Sequence, residues 1–108
     1  MADEYVKKIS MDDLTDKEVG NIIQETLEYG YVIPSQHAKD QMQERNYSTT
    51  DVRNILKNGK ITKREVDDNR RCYTFAGDDL EGHPGEVVIQ LMAGARKMVI
   101  ITVKGGVK

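Results

Sequence analysis

The chain has 108 residues, 31% of them charged and 38% hydrophobic, with a net charge of -2 and one cysteine. That size and balance fit a single globular domain (1–108) with a modest core, and fall short of the composition of a disordered chain. They exclude an internal disulfide, a Cys/His zinc site, a membrane-spanning run of roughly 18–20 apolar residues and a generic, strongly basic nucleic-acid binder.

Residues 1–10 show no apolar period and read as a loosely docked arm, acidic and without the layout of a secretion signal, so the cytoplasm is the expected compartment. Thr15 and Glu18 form a capping-box pair, and Val19, Ile22, Ile23, Thr26 and Leu27 follow at helical spacing up to a stop at Gly30. Residues 31–34 read as a short extended lead-in, because Pro34 disfavours helix at Ile33. Ser35 caps a second helix that runs to about Arg45, with Asn46 suited to the left-handed conformation that ends it. His37, Gln41 and Arg45 lie at successive i, i+4 positions and share one face of that helix. Ser48 and Asp51 make a second capping box, opening a helix with Val52, Ile55 and Leu56 facing inward and Asn58-Gly59 closing it.

After Gly59 the period changes to two. Strands are expected over 60–66, 70–76, 86–92 and 97–104, the last two apolar enough for the centre of the sheet. On the second, Arg71, Tyr73 and Phe75 share a face, with Cys72 as small core packing. On the last, Val99, Ile101 and Val103 share one face, and Met98, Ile100, Thr102 and Lys104 the other. Gly77 to Gly85, holding Asp78, Asp79, Glu81 and His83, reads as a loop without the ligand spacing of a cation site. Helices followed by strands make an α+β architecture, N-terminal helices packed on a roughly four-stranded antiparallel sheet. The charge is uneven: residues 1–33 hold 3 basic and 8 acidic groups, residues 34–108 hold 13 and 10. The second part is therefore able to meet a phosphate backbone locally.

No phosphate-cradling glycine loop, HExxH, CxxC or GxSxG is present. The informative stretch is Pro34-Ser-Gln-His37-Ala-x-x-Gln41-Met-x-x-Arg45-Asn, followed by a Ser-capped helix ending Lys57-Asn-Gly-Lys-Ile61. It resembles the bacterial family catalogued as domain of unknown function 4258, whose pattern opens His-Ala-x-x-Arg-Met-x-x-Arg. The resemblance extends through Arg71-Cys-Tyr73 and Val99-Ile-Ile-Thr-Val103, so residues 33–104 form the family-like core and 1–32 an added arm and helix. It implies a fold similar to the RelE, MqsR and barnase-like ribonucleases and a toxin–antitoxin setting. Gln41 stands where the family pattern has its first Arg, which moves phosphate binding toward Arg45, Arg70 or Arg71.

The activity so implied is metal-independent RNA cleavage, with RNA as substrate and no cofactor or metal. The ribose 2′-hydroxyl attacks its own phosphate, so the protein supplies proton transfer and charge stabilisation. His37 is the expected acid or base and Arg45 the phosphate clamp, with Arg71 and Tyr73 as partners from the sheet. Gln41, Arg70, Thr102 and Lys104 complete the expected substrate contacts. A cognate antitoxin or immunity protein is the expected partner. The alternative is a non-enzymatic binding or regulatory module on the same scaffold, favoured by Gln41, the acidic first helix and a pI near 5.7. A third is a homodimer through an exposed edge strand.

Overall fold

The three-dimensional structure is a computed structural model, and it describes residues 14–67, 70–92 and 96–105. The expected N-terminal arm, the turn at 68–69 and residues 93–95 of the last connection lie outside the described residues.

Local chemistry sets the three helices. Helix α1 (Asp16–Tyr29) opens on the Thr15–Glu18 capping box and stops at Gly30, whose N–H donates to the Thr26 carbonyl. Ser35 caps α2 (Gln36–Glu44), and Asn46, at φ 57°, takes the left-handed conformation just beyond it. The Ser48–Asp51 capping box opens α3 (Thr49–Asn58), which Gly59 closes. Strands β2 (Lys60–Asp67), β3 (Arg70–Asp78), β4 (Pro84–Met92) and β5 (Lys97–Gly105) then form an antiparallel meander.

The fold is α+β, with a sheet that differs from the expectation in one strand. Residues Tyr31–Pro34 form an edge strand, β1, paired parallel to β5, so the sheet is five-stranded and mixed, in the order β1-β5-β4-β3-β2. Four residues are too few to show an alternating period. Pro34, which has no N–H to donate, is tolerated because it ends an edge strand. β4 occupies the centre of the sheet as expected.

All three helices contribute to one core. α1 buries Val19, Ile23 and Leu27, and α3 buries Val52, Ile55 and Leu56. The sheet supplies Tyr73, Phe75, Val87, Ile89, Leu91, Met98, Ile100 and Val103. Each aliphatic side chain so buried contributes about 1.5–3 kcal/mol. α3 meets β3 by backbone contact: a Cβ on Gly59 would lie 2.7 Å from the Ala76 carbonyl oxygen, and one on Gly77 2.7 Å from the Gly59 Cα.

One face assignment and one core assignment change. Val88 pairs with Thr102 and Ile89 with Ile100, leaving Ile101 as an extra residue in a β-bulge. The slip moves Val103 onto the core face with Met98 and Ile100. Thr102 and Lys104 thereby pass to the opposite face, which the regular period had given to Val103. Cys72 is half-buried on that opposite face, beside Gln90, and is not part of the core.

Because α1 places Ile23 at 1% exposure within this core, Ile23→Ala is expected to lower unfolding stability by about 2–5 kcal/mol. A denaturant titration showing wild-type stability would mean that α1 is an appendage.

Candidate functional site

The candidate site grows from a free strand edge. β1 pairs with β5 only as far as Pro34 opposite Ile100, so the outer edge of β5 beyond that point needs other partners for its backbone. The first turns of α2 supply them. The Ser35 N–H donates to the Ile100 carbonyl (2.9 Å), and the Ser35 hydroxyl donates to the Ile101 carbonyl (3.2 Å) while accepting from the Ala38 N–H (3.1 Å). The Val103 N–H donates to Gln41 Oε1 at 2.7 Å. Gln41 thus serves as an acceptor, a role that an arginine, which carries donors only, cannot fill.

The expected site residues fall in three places. His37 is exposed on the first turn of α2 and makes no hydrogen bond or ion pair among the described residues. Arg45, with a side chain 20% exposed, turns its guanidinium back along the helix toward the Gln41 carbonyl (3.5 Å) and lies 3.7 Å from Glu44. Arg45 lies eight positions after His37, about 12 Å along the helix axis, and this return of the guanidinium shortens the gap. Thr102 and Lys104 flank Val103 on β5, on the sheet face opposite α2; Lys104 is exposed and stands opposite Glu86.

Arg71 and Tyr73 lie elsewhere. Arg71 is half-buried and lines a cleft of about 300 Å³ against Ile22, Glu25 and Thr26 of α1. Tyr73 is 1% exposed, with the Arg64 guanidinium 5.5 Å above its ring. The expected role of Tyr73 against substrate does not fit this burial, since alternation put it on a common face with Arg71 but could not tell that α1 covers that face. The Arg70 side chain lies outside the described residues.

The structure also joins residues of the 77–85 segment, which the sequence reads as a loop. The Asp79 carboxylate, 3% exposed, accepts from the backbone N–H groups of Glu81 and His83, each at 2.9 Å. His83 Nδ1 lies 3.8 Å from it and 3.7 Å from Glu81, and is buried without a hydrogen bond among the described residues. The Tyr47 hydroxyl is directed at the same carboxylate but falls short of a well-formed hydrogen bond. Burial pushes the Asp79 carboxyl up, yet the His83 N–H, the Tyr47 hydroxyl, the Glu81 N–H and the His83 charge outweigh it and hold it below its usual value. Tyr47 is held well above its usual range by burial first, then by Asp79 and the charge of Asp51, with Arg45 opposing. Spacing of Asp79 four residues before His83 was the one signal in the sequence, and a loop-organising aspartate leaves the same trace. With three carboxylates around it and Arg45 the cation that acts on Tyr47, the cluster orders the 79–83 loop and docks Tyr47.

Two outcomes follow from this geometry. Gln41→Ala leaves the Val103 N–H without its acceptor and is expected to cost about 1–3 kcal/mol, with Gln41→Glu milder because it keeps an acceptor; equal stability of Gln41→Ala and wild type in urea would remove the clasp. A lowered carboxyl stabilises the fold above its unfolded value near pH 4 and loses that contribution as pH falls through the folded value. Asp79→Asn is therefore expected to be less stable at pH 7, with its deficit shrinking below about pH 4; a deficit independent of pH would deny the charge its part.

A family model described as Domain of unknown function (DUF4258) matches residues 34–104. No curated protein and no solved structure matches the chain. The matched span starts at the proline before the Ser35 cap and ends at Lys104, taking in the α2 clasp, α3 and strands β2 to β5. On that match, which covers well over half of its length, the chain belongs to the domain of unknown function 4258 family.

Proposed function

We propose that this chain is a small metal-independent ribonuclease of the bacterial toxin kind, grouped with RelE, MqsR and barnase-like enzymes and acting on RNA in the cytoplasm. The observation that carries the reading is the α2 shoulder. An exposed imidazole at His37, without a hydrogen bond or ion pair among the described residues, shares a helix face with Arg45, whose guanidinium turns back along the helix to the Gln41 carbonyl. The clasp to β5 fixes that face against the strand that bears Thr102 and Lys104. Among the described residues no helix is long and apolar enough to cross a membrane.

In this reading the 2′-hydroxyl oxygen bonds to phosphorus as the P–O5′ bond breaks. One proton leaves the 2′-hydroxyl for a base and one reaches the departing 5′-oxygen, giving a 2′,3′-cyclic phosphate and a 5′-hydroxyl. His37 carries out one of these transfers, and Arg45 offsets charge on the phosphoryl oxygens. Tyr73, buried in the core, is left out of direct contact with RNA, and Arg71 lies apart from this shoulder.

A specific observation favours a second reading, a non-enzymatic binding or regulatory module. Gln41, at the position where the family pattern has Arg, is occupied by the Val103 N–H and adds no cation. Such a module would act through a protein partner, or as a homodimer through the edge strands β1 or β2.

Cleavage of total cellular RNA in excess EDTA separates the two. The enzyme reading expects 2′,3′-cyclic phosphate ends and a loss of about 100- to 10,000-fold in rate for His37→Ala, with Arg45→Ala also impaired. No cleavage by folded wild-type protein, with or without ribosomes, would sink the ribonuclease and leave the module.

A further inference from the structure

A groove of about 420 Å³ runs between α1, the end of α3 and the edge strand β2. Three lysines reach it from three separate segments: Lys17 of α1, Lys57 of α3 and Lys60 of β2. All three are exposed, and none forms an ion pair among the described residues. Other cations nearby are compensated, Lys63 by Glu65 and Arg64 by Asp16, and that second pair also neutralises the one carboxylate on the groove wall. The groove is therefore a concentrated positive site on a chain whose net charge is -2.

Fold stability accounts for only part of this arrangement. Lys57, in the last turn of α3, suits the helix dipole, and Lys60 suits an edge strand that must resist pairing. Lys17 has no such reason, since it places a cation in the first turn of α1, at the positive end of that dipole. One turn on, Gly20 sits inside the helix, where glycine weakens the structure relative to alanine. Its absent Cβ would meet nothing within 4 Å, so packing does not require a glycine there. Both locally unfavourable choices lie on the same wall, with Asn21 and Gln24 beside them.

We infer that this groove binds the phosphate backbone of a single-stranded RNA. Ammonium groups without an ion pair among the described residues suit a repeating monoanion, and the amides of Asn21 and Gln24 are able to bond sugar hydroxyls and phosphate oxygens. Lys17 and Gly20 precede the family-matched span of 34–104, whereas Lys57 and Lys60 lie within it, so the groove forms where the N-terminal helix meets the matched domain. That the strand is RNA rests on the ribonuclease reading; the demand for a polyanionic strand rests on the groove alone.

The test uses the full chain and a fluorescent 2′-O-methyl oligoribonucleotide, which binds but cannot be cleaved because its 2′-oxygen is blocked. Anisotropy is read across a salt series. Replacing Lys17, Lys57 and Lys60 together by Gln is expected to lower the log–log salt slope by about 2, at roughly 0.7 per phosphate contact on a single strand. Gly20→Leu, whose Cβ meets nothing within 4 Å and whose side chain starts from the groove wall, is expected to weaken binding at least tenfold while the melting temperature stays level or rises. An unchanged slope in the triple variant, or unchanged affinity in Gly20→Leu, overturns the proposal. So does a poly-glutamate peptide that binds as tightly as the oligonucleotide with the same dependence on the three lysines, which would assign the groove to an acidic protein. Wild type that binds the blocked strand but never cuts RNA ends the ribonuclease reading and leaves the groove standing; cutting with an unchanged slope does the reverse.

Discussion

The backbone of β5 beyond Ile100 has a strand on one side only, and the placement of α2 depends on how that edge is satisfied. β1 ends at Pro34, the next residue turns into a helix cap, and the carbonyls of Ile100 and Ile101 and the N–H of Val103 pass to Ser35 and Gln41. Leaving such groups unbonded costs more than the net gain of an ordinary hydrogen bond. α2 has little else to hold it: Ala38 is its one fully buried residue, with Met42 packed at the margin, whereas α1 and α3 each bury several large side chains. A nine-residue helix with so narrow an apolar face is docked by backbone chemistry as much as by burial. The residues along its exposed flank, His37 above all, inherit their positions from that docking.

What was legible in the sequence is what is local. The two capping boxes, the stops at Gly30 and Gly59 and the left-handed Asn46 each involve residues within a few positions of one another, and each appears in the structure. The alternation of Arg71, Tyr73 and Phe75 was equally plain. Which face a helix covers is a long-range fact, however, and it decided that Tyr73 is core. The bulge at Ile101 was hidden because isoleucine and threonine suit a strand in either register, so only pairing with β4 reveals the slip. The approach of Tyr47 to Asp79 and the meeting of three lysines from α1, α3 and β2 join segments far apart in the chain, and no motif spacing records them.

The family-matched span carries the clasp and four of the five strands, but the unmatched N-terminal helix is not an ornament. It crosses the same core, lays Arg64 of β2 against Asp16 and Leu14, and receives the Arg53 guanidinium on its Leu27 carbonyl. The groove and the α2 shoulder lie toward opposite edges of the sheet, β2 on one side and β1 with β5 on the other. A strand long enough to touch both would have to cross the molecule, so the two surfaces divide into a holding region and a region of proposed chemistry.

The hydrogen bond from Val103 to Gln41 also gives this fold a gauge of its own. Most sheet amides are held by neighbouring strands and exchange with solvent only when the ladder opens. The Val103 amide is held by a side chain of α2, so its exchange follows the undocking of that helix as a local event. One backbone proton thus registers, on the timescale of hydrogen–deuterium exchange, how often the helix bearing His37 leaves the sheet.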